Sequence, residues 1–207
     1  MLTLTPNPIF QRDPQAAQNE LHRRTALTRT TTKRQMVDAR QRKNAVRDIQ
    51  ALPGLEESLH IIARGNFPLW SIVPAVLTLT APATIDHLAI ATLGFSKANA
   101  LDLFSLLDTG KVKTVSIVCS VFFERQNPAE YRMMADGLKE RGHRISALRA
   151  HAKIIAMKLS DKRGITVESS ANLRSCRNLE QLTIINSEPL RKFHAGWIEE
   201  VIVNGSK

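Results

Sequence analysis

The chain has 207 residues, 43% of them hydrophobic, enough for one sizeable core with an appendage. Twenty-nine Lys and Arg against 19 Asp and Glu leave a net charge of +10. That surplus favours a polyanionic partner such as nucleic acid, because neutralising phosphates releases counterions.

Two cysteines, Cys119 and Cys176, allow at most one bridge and offer no metal-ligand spacing. A reducing compartment, the cytoplasm, is therefore expected. The opening residues from Met1 lack a positive stretch followed by an apolar run, so no secretion signal is expected. Residues 1–50 carry ten Lys and Arg against four Asp and Glu, a surplus of six, and few large apolar side chains. They read as a basic N-terminal arm, partly helical or flexible. Residues 28–34 look flexible, while 35–50 are helix-friendly with a weak apolar stripe of Met36, Val37, Val46 and Ile49.

Residues 51–207 read as one α/β domain. A short helix is expected over 55–63, stopped at Gly65. The uncharged run 65–85 holds Pro68, Pro74 and Pro82, which argues against a membrane span and for a buried strand region. Strands follow at 84–92, 113–120 and 143–148. Between them, Ser96 caps a helix to Leu107, and Asn127 with Pro128 opens a helix carrying Tyr131, Met134 and Leu138 that ends at Gly142. This β-α-β-α-β order predicts parallel strands with right-handed crossovers, in a sheet that is mixed but mainly parallel and flanked by helices. Further strands are expected at 151–159, 164–170 and 180–186. A final helix from Ser187 places Leu190, Phe193, Trp197 and Val201 at core spacing.

The chemistry concentrates late in the chain. His151 and Lys153 are followed by Ser169, Ser170 and Asn172, then by Asn178 and Glu180. Residues i and i+2 of a strand share a face, roughly 7 Å apart. Three such polar pairs, His151/Lys153, Ser170/Asn172 and Asn178/Glu180, are expected to converge on one cleft.

The ordered set resembles the phospholipase D superfamily over residues 84–203. His151 and Lys153 match its HxK core, Ser169 to Asn172 its GSxN, and Asn178 and Glu180 its NxE pair. The chain departs from that pattern at two places. Lys158 stands where the family has an aspartate, with Asp161 close by, and Ser169 stands for the glycine; the connecting hairpin is also about four residues longer than in the family.

The resemblance implies a PLD-like half-domain in which His151 attacks phosphorus to form a phosphohistidine. Glu180 would hold the ring's tautomer, Lys153 and Asn172 would donate to the non-bridging oxygens, and Ser170 would add a hydroxyl. Asn178, Arg174 and Arg177 would support phosphate binding, and no metal or other cofactor is implied. A second histidine must protonate the leaving oxygen. The chain has one motif and no internal repeat, and His22, His60, His87, His143 and His194 lie in no comparable context. Single-motif Nuc-type bacterial endonucleases, which the chain resembles, complete the site as homodimers.

Two functions follow. One is a metal-independent phosphodiesterase, a DNA endonuclease with its site shared between two subunits. The other is a catalytically weak or inactive PLD-like DNA-binding or structural protein of a phage or mobile element. A true phospholipase fits less well, since no membrane-surface segment is evident.

Overall fold

The computed structural model describes residues 29–31, 34–39, 45, 49–63, 68–174 and 178–204. In chain order these form β1 (Arg29–Thr31), β2 (Arg34–Ala39), β3 (Ser58–Ala63), a 3-10 turn (Leu69–Ser71) and α1 (Ile72–Leu79). There follow β4 (Ile85–Thr92), α2 (Lys97–Asp108), β5 (Val115–Ser120), α3 (Val121–Gln126), α4 (Pro128–Glu140) and β6 (Arg144–Leu148). The chain then runs through β7 (Ile154–Leu159), β8 (Gly164–Ser169) and β9 (Glu180–Asn186) into α5 (Glu188–Asn204).

Seven strands from β3 onward make a mixed sheet in the order β3-β9-β8-β7-β4-β5-β6, and β2 and β1 extend it beyond β3. The β4-α2-β5-α3-α4-β6 segment is parallel, as the alternation of elements requires. Five of the eight strand pairings are nevertheless antiparallel, so the sheet is not mainly parallel. Two of these come from β7, β8 and β9, which pair in chain order with each strand returning beside its predecessor, and the ends of that unit then meet β4 and β3 antiparallel.

Both faces are covered. Ile90, Ile117, Ile155, Val167 and Ile184 face a core closed by α1, α2 and α4. The alternate residues Ala89, Ala91 and Ala156 are small and let α5 lie close, packing Ala195, Ile198 and Ile202 on them. Helix ends follow the sequence signals. Ser96 Oγ accepts from Asn99 N at 3.2 Å and Asn99 Oδ1 accepts from Ser96 N at 2.9 Å, a reciprocal capping box at the start of α2. No described helix is long and apolar enough to cross a membrane.

Four expectations change. Residues 58–63 form β3 rather than a helix, because Leu59, Ile61 and Ala63 alternate inward while β9 supplies hydrogen-bond partners along the whole strand. The run from 65 to 85 is not a strand region: Ile72 to Leu79 are helical, with Pro74 tolerated in the first turn. That helix buries Ile72, Val73, Ala75 and Val76, and a buried apolar helix lacks the polar stripe that distinguishes it from a strand. In α5 the buried stripe is Arg191, His194, Ala195, Ile198 and Ile202, whereas Phe193 is 66% exposed. The helix is turned by polar bonds of His194, described below. Finally, part of the basic arm is strand: β2 pairs parallel with β3 from Arg34↔Ser58 to Ala39↔Ala63, and β1 folds back on β2. Ala45 and Ile49, one helical turn apart, are buried in the core. Residues 1–28 of the arm lie outside the described residues.

One glycine fixes how β5 hands over to α3. A Cβ on Gly94 would lie 2.8 Å from Phe123 Cε2 and 2.9 Å from Cγ. Phe123 cannot retreat, because its ring packs on Phe95 with centroids 4.6 Å apart. Gly94→Val should therefore destabilise the chain by about 1–3 kcal/mol through overpacking, read as a lower urea midpoint at unchanged m-value. An unchanged midpoint would show that this contact relaxes freely.

Candidate active site at the carboxyl edge of the parallel strands

β4, β5 and β6 end together at Thr92, Ser120 and Leu148. Because β7 runs antiparallel to β4, its start at Ile154 lies beside Ala91 at that same edge. The end of β8 at Ser169 and the start of β9 at Glu180 fall there too. Ligands of open α/β sheets bind outside the carboxyl ends of the parallel strands, and this edge collects most of the polar residues singled out above.

His151 is exposed in the short link from β6 to β7, and Lys153 is buried at 8% exposure just before β7. The pair is not within a regular strand, yet the two side chains do meet. Lys153 Nζ lies 3.0 Å from His151 Nδ1 and donates to His151 O at 2.8 Å. Burial pushes the Lys153 ammonium below its ordinary pKa, and the Glu180 carboxylate partly opposes that shift. Glu180 is itself buried, and Ser170 donates a very short hydrogen bond to its Oε2.

The backbone holds these groups in place. Ser169 N donates to Lys153 O at 3.1 Å, and Ser170 N donates to Gln181 O at 3.0 Å. Ser169 therefore has a stitching role that a glycine lacks: its hydroxyl donates to Gln181 O at 2.9 Å and accepts from Ala171 N at 2.9 Å. Lys158, the other departure, is exposed near the opposite end of β7. Five residues from Lys153 along a strand is about 17 Å. Asp161 is occupied there too, accepting from Arg163 Nε at 2.9 Å in the β7–β8 turn. Neither position reaches the His151 edge.

The remaining residues are more dispersed. Asn172 is half-buried after β8; its carbonyl accepts from Leu69 N at 3.3 Å, and its side-chain Oδ1 is buried with no hydrogen-bond partner among the described residues. Asn178 is exposed while Glu180, two residues on, is buried, and Arg174 is exposed. Arg177 and Cys176 lie outside the described residues. Among the described residues, no three His, Cys, Asp or Glu side chains gather as a metal site.

Sequence reasoning missed a cleft of about 480 Å³ beside His151, lined by Leu93, Val121, Phe122, Arg149 and Ala150. It also left His194 unassigned. Trp197 Nε1 donates to His194 Nδ1 at 3.1 Å, so the neutral ring carries its proton on Nε2 and donates to Glu168 Oε1 at 3.0 Å. The i,i+3 spacing of His194 and Trp197 on one helix is the signal that could have found this chain of bonds. His60 and His87 are likewise engaged, with Ser58 and Thr183 and with Ser116 and Glu199 respectively. His22 is outside the described residues. Cys119 is a free, buried thiol pushed up to about 12, chiefly by burial.

No protein-family model matches the chain, and no curated protein matches it.

The Lys153 environment has a measurable consequence. A lysine whose folded pKa is depressed binds its proton less tightly in the folded than in the unfolded chain. The full cost of burying the ammonium is present below the folded pKa, and stability is regained as pH rises from there toward 10.5. Subtracting the stability of Lys153→Met from that of the wild type, by urea unfolding at each pH, isolates this contribution. The difference should shift in the wild type's favour as pH approaches 10.5; a flat difference would mean that the ammonium carries no burial cost.

Proposed function

We propose that the chain is a metal-independent phosphodiesterase built on a PLD-like half-domain, acting on DNA through a phosphohistidine intermediate. The observation that carries this reading is the meeting of His151 Nδ1 with the buried Lys153 ammonium at 3.0 Å, backed by Glu180 and Ser170. An exposed imidazole beside a desolvated cation, at the carboxyl edge of parallel strands, suits attack on an anionic phosphorus centre.

An ammonium has only protons to give, so at Nδ1 it meets the ring's lone pair, and the neutral ring then holds its proton on Nε2. The attacking nitrogen must instead present a lone pair to phosphorus. An entering phosphodiester supplies non-bridging oxygens that draw Lys153 Nζ away from Nδ1. The released nitrogen can then carry the proton, leaving Nε2 as nucleophile. As the N–P bond forms, the P–O ester bond breaks and the leaving oxygen takes a proton from a second histidine. Water then attacks phosphorus, giving a proton to the second histidine, as the N–P bond breaks and the imidazole is regenerated. Asn172, whose Oδ1 has no hydrogen-bond partner among the described residues, would donate its amide NH₂ to the same phosphate.

The second histidine comes from a partner subunit, His151 facing its copy across a two-fold axis. His194, bonded on both ring nitrogens, is occupied elsewhere. The +10 charge and the exposed Arg174 favour DNA as substrate, and the low cysteine count suits the reducing cytoplasm as its setting. A second reading, a PLD-like phage or mobile-element protein that holds DNA without turnover, is favoured by the capped Nδ1: if Lys153 never releases it, the ring cannot attack.

Incubation with supercoiled plasmid in EDTA separates the two. Nicking is expected, with His151→Asn slower by on the order of 10⁴-fold and Asn172→Ala by about 100- to 1,000-fold. Retained nicking in the histidine variant sinks the nucleophile assignment. Salt-sensitive binding without turnover selects the binding protein, and a monomeric mass in solution removes the shared site.

A further inference from the structure

The cleft beside His151 has a composition that phosphate chemistry alone does not require. Leu93, Val121, Phe122 and Ala150 make it apolar, and Arg149 and His151 are its charged and titratable members. Phe122 is 62% exposed and stands in the wall of this cleft. Its outward position is enforced. Phe122 and Phe123 are adjacent on α3, and Phe123 is buried at 2% against Phe95 in space that Gly94 leaves open. Successive helical residues point about 100° apart, so anchoring Phe123 inward turns Phe122 toward the cleft. Ser120 Oγ accepts from Phe122 N at 3.1 Å and fixes the start of the turn. The result is an exposed aromatic ring in the same cleft as the nucleophile.

We propose that this cleft is a base subsite: it receives one unpaired nucleobase next to the scissile phosphate, stacked on Phe122, and so directs the enzyme to single-stranded DNA. The inference rests on the phosphodiesterase reading and adds its substrate class. At about 480 Å³ the cleft falls in the range of small-molecule pockets, about 300–1,000 Å³, with room for a base and its sugar. A base offers a π-face to an aromatic ring, and its flanking phosphates are complementary to Arg149 and Lys153. Bases within a duplex are already stacked and paired, and reach such a cleft only after being flipped out at a cost. A duplex gripped by its backbone would leave Phe122 without a partner.

Binding and cleavage together test this. Fluorescence anisotropy with the full-length His151→Asn chain, which needs no turnover, reads the subsite on a labelled single-stranded oligonucleotide, its duplex, and the same strand carrying abasic sites. The expected order is single strand tightest, with about tenfold weaker binding for the abasic strand. Adding Phe122→Ala should weaken binding to the intact strand by about the same factor and leave the abasic strand unaffected, while Phe122→Trp preserves it. Equal losses on intact and abasic strands, or tighter binding to duplex, overturn the subsite. A Phe122→Ala chain that changes mass in solution assigns Phe122 to a subunit contact and overturns it as well. Cleavage by the wild type is scored separately: if no strand is cut, the hydrolase reading fails, while base-dependent binding would still support the cleft as a base site.

Discussion

The candidate site depends on keeping a lysine ammonium out of water. Lys153 is almost fully buried, and an isolated buried cation is costly enough that a protein normally neutralises or pairs it. Here its Nζ has the His151 carbonyl, the His151 ring nitrogen and the field of Glu180. His151 lies in the β6–β7 link and Glu180 at the start of β9, so the lysine ties these two pieces of backbone together. Removing one member of a buried charge pair leaves the other uncompensated, which makes the cluster more sensitive to mutation than any of its single bonds. The same burial keeps the cation poorly hydrated, so any anion reaching it would meet a donor that has little water to shed.

That arrangement needs antiparallel strands. Had the chain after β6 continued as β-α-β units, His151 and Glu180 would stand at carboxyl ends separated by crossover helices. Instead β7 returns against β4, and β8 and β9 follow by direct antiparallel pairing. The start of β7, the end of β8 and the start of β9 thus share one edge. Ser169 sits at the seam, its hydroxyl bonded to two backbone groups across β8 and β9. A serine at this position is an asset to the seam, whatever it denies a ligand in closeness of approach.

Much of this was legible from residues alone. The strands and the two longer helices of the β-α-β-α-β run lie within two residues of where the sequence signals put them, whereas the short α3 was not anticipated and Asn127 makes no side-chain cap bond. β9 was readable to the residue, because Glu180 to Asn186 alternates and stops before a helix start. What failed did so where two periods overlap. Residues 58–63 contain Leu59, Ile61 and Ile62, which satisfy either a short helix or a strand, and only the partner strand β9 decides between them. Residues 72–79 are apolar except for Thr78, so the helical period was faint in sequence even though Pro74 and Thr78 share an exposed face. Within the site, spacing brought out the meeting of His151 with Lys153 but overstated convergence for Asn178, which is exposed at the rim.

The least legible element was the cleft, since no sequence window contains it. Leu93 follows β4, Phe122 follows β5 and Arg149 follows β6, and the parallel sheet alone sets these three loop starts side by side. Their common origin also explains why the cleft abuts His151: the link that carries the histidine is the continuation of the third of these loops. The shape of the cleft and the position of His151 are therefore coupled through the core. The packing of Phe123 on Phe95 sets the rotation of α3, that rotation sets the direction of Phe122, and Phe122 forms part of the wall facing the imidazole. A core contact with no chemistry of its own thus sets the shape of the wall beside His151.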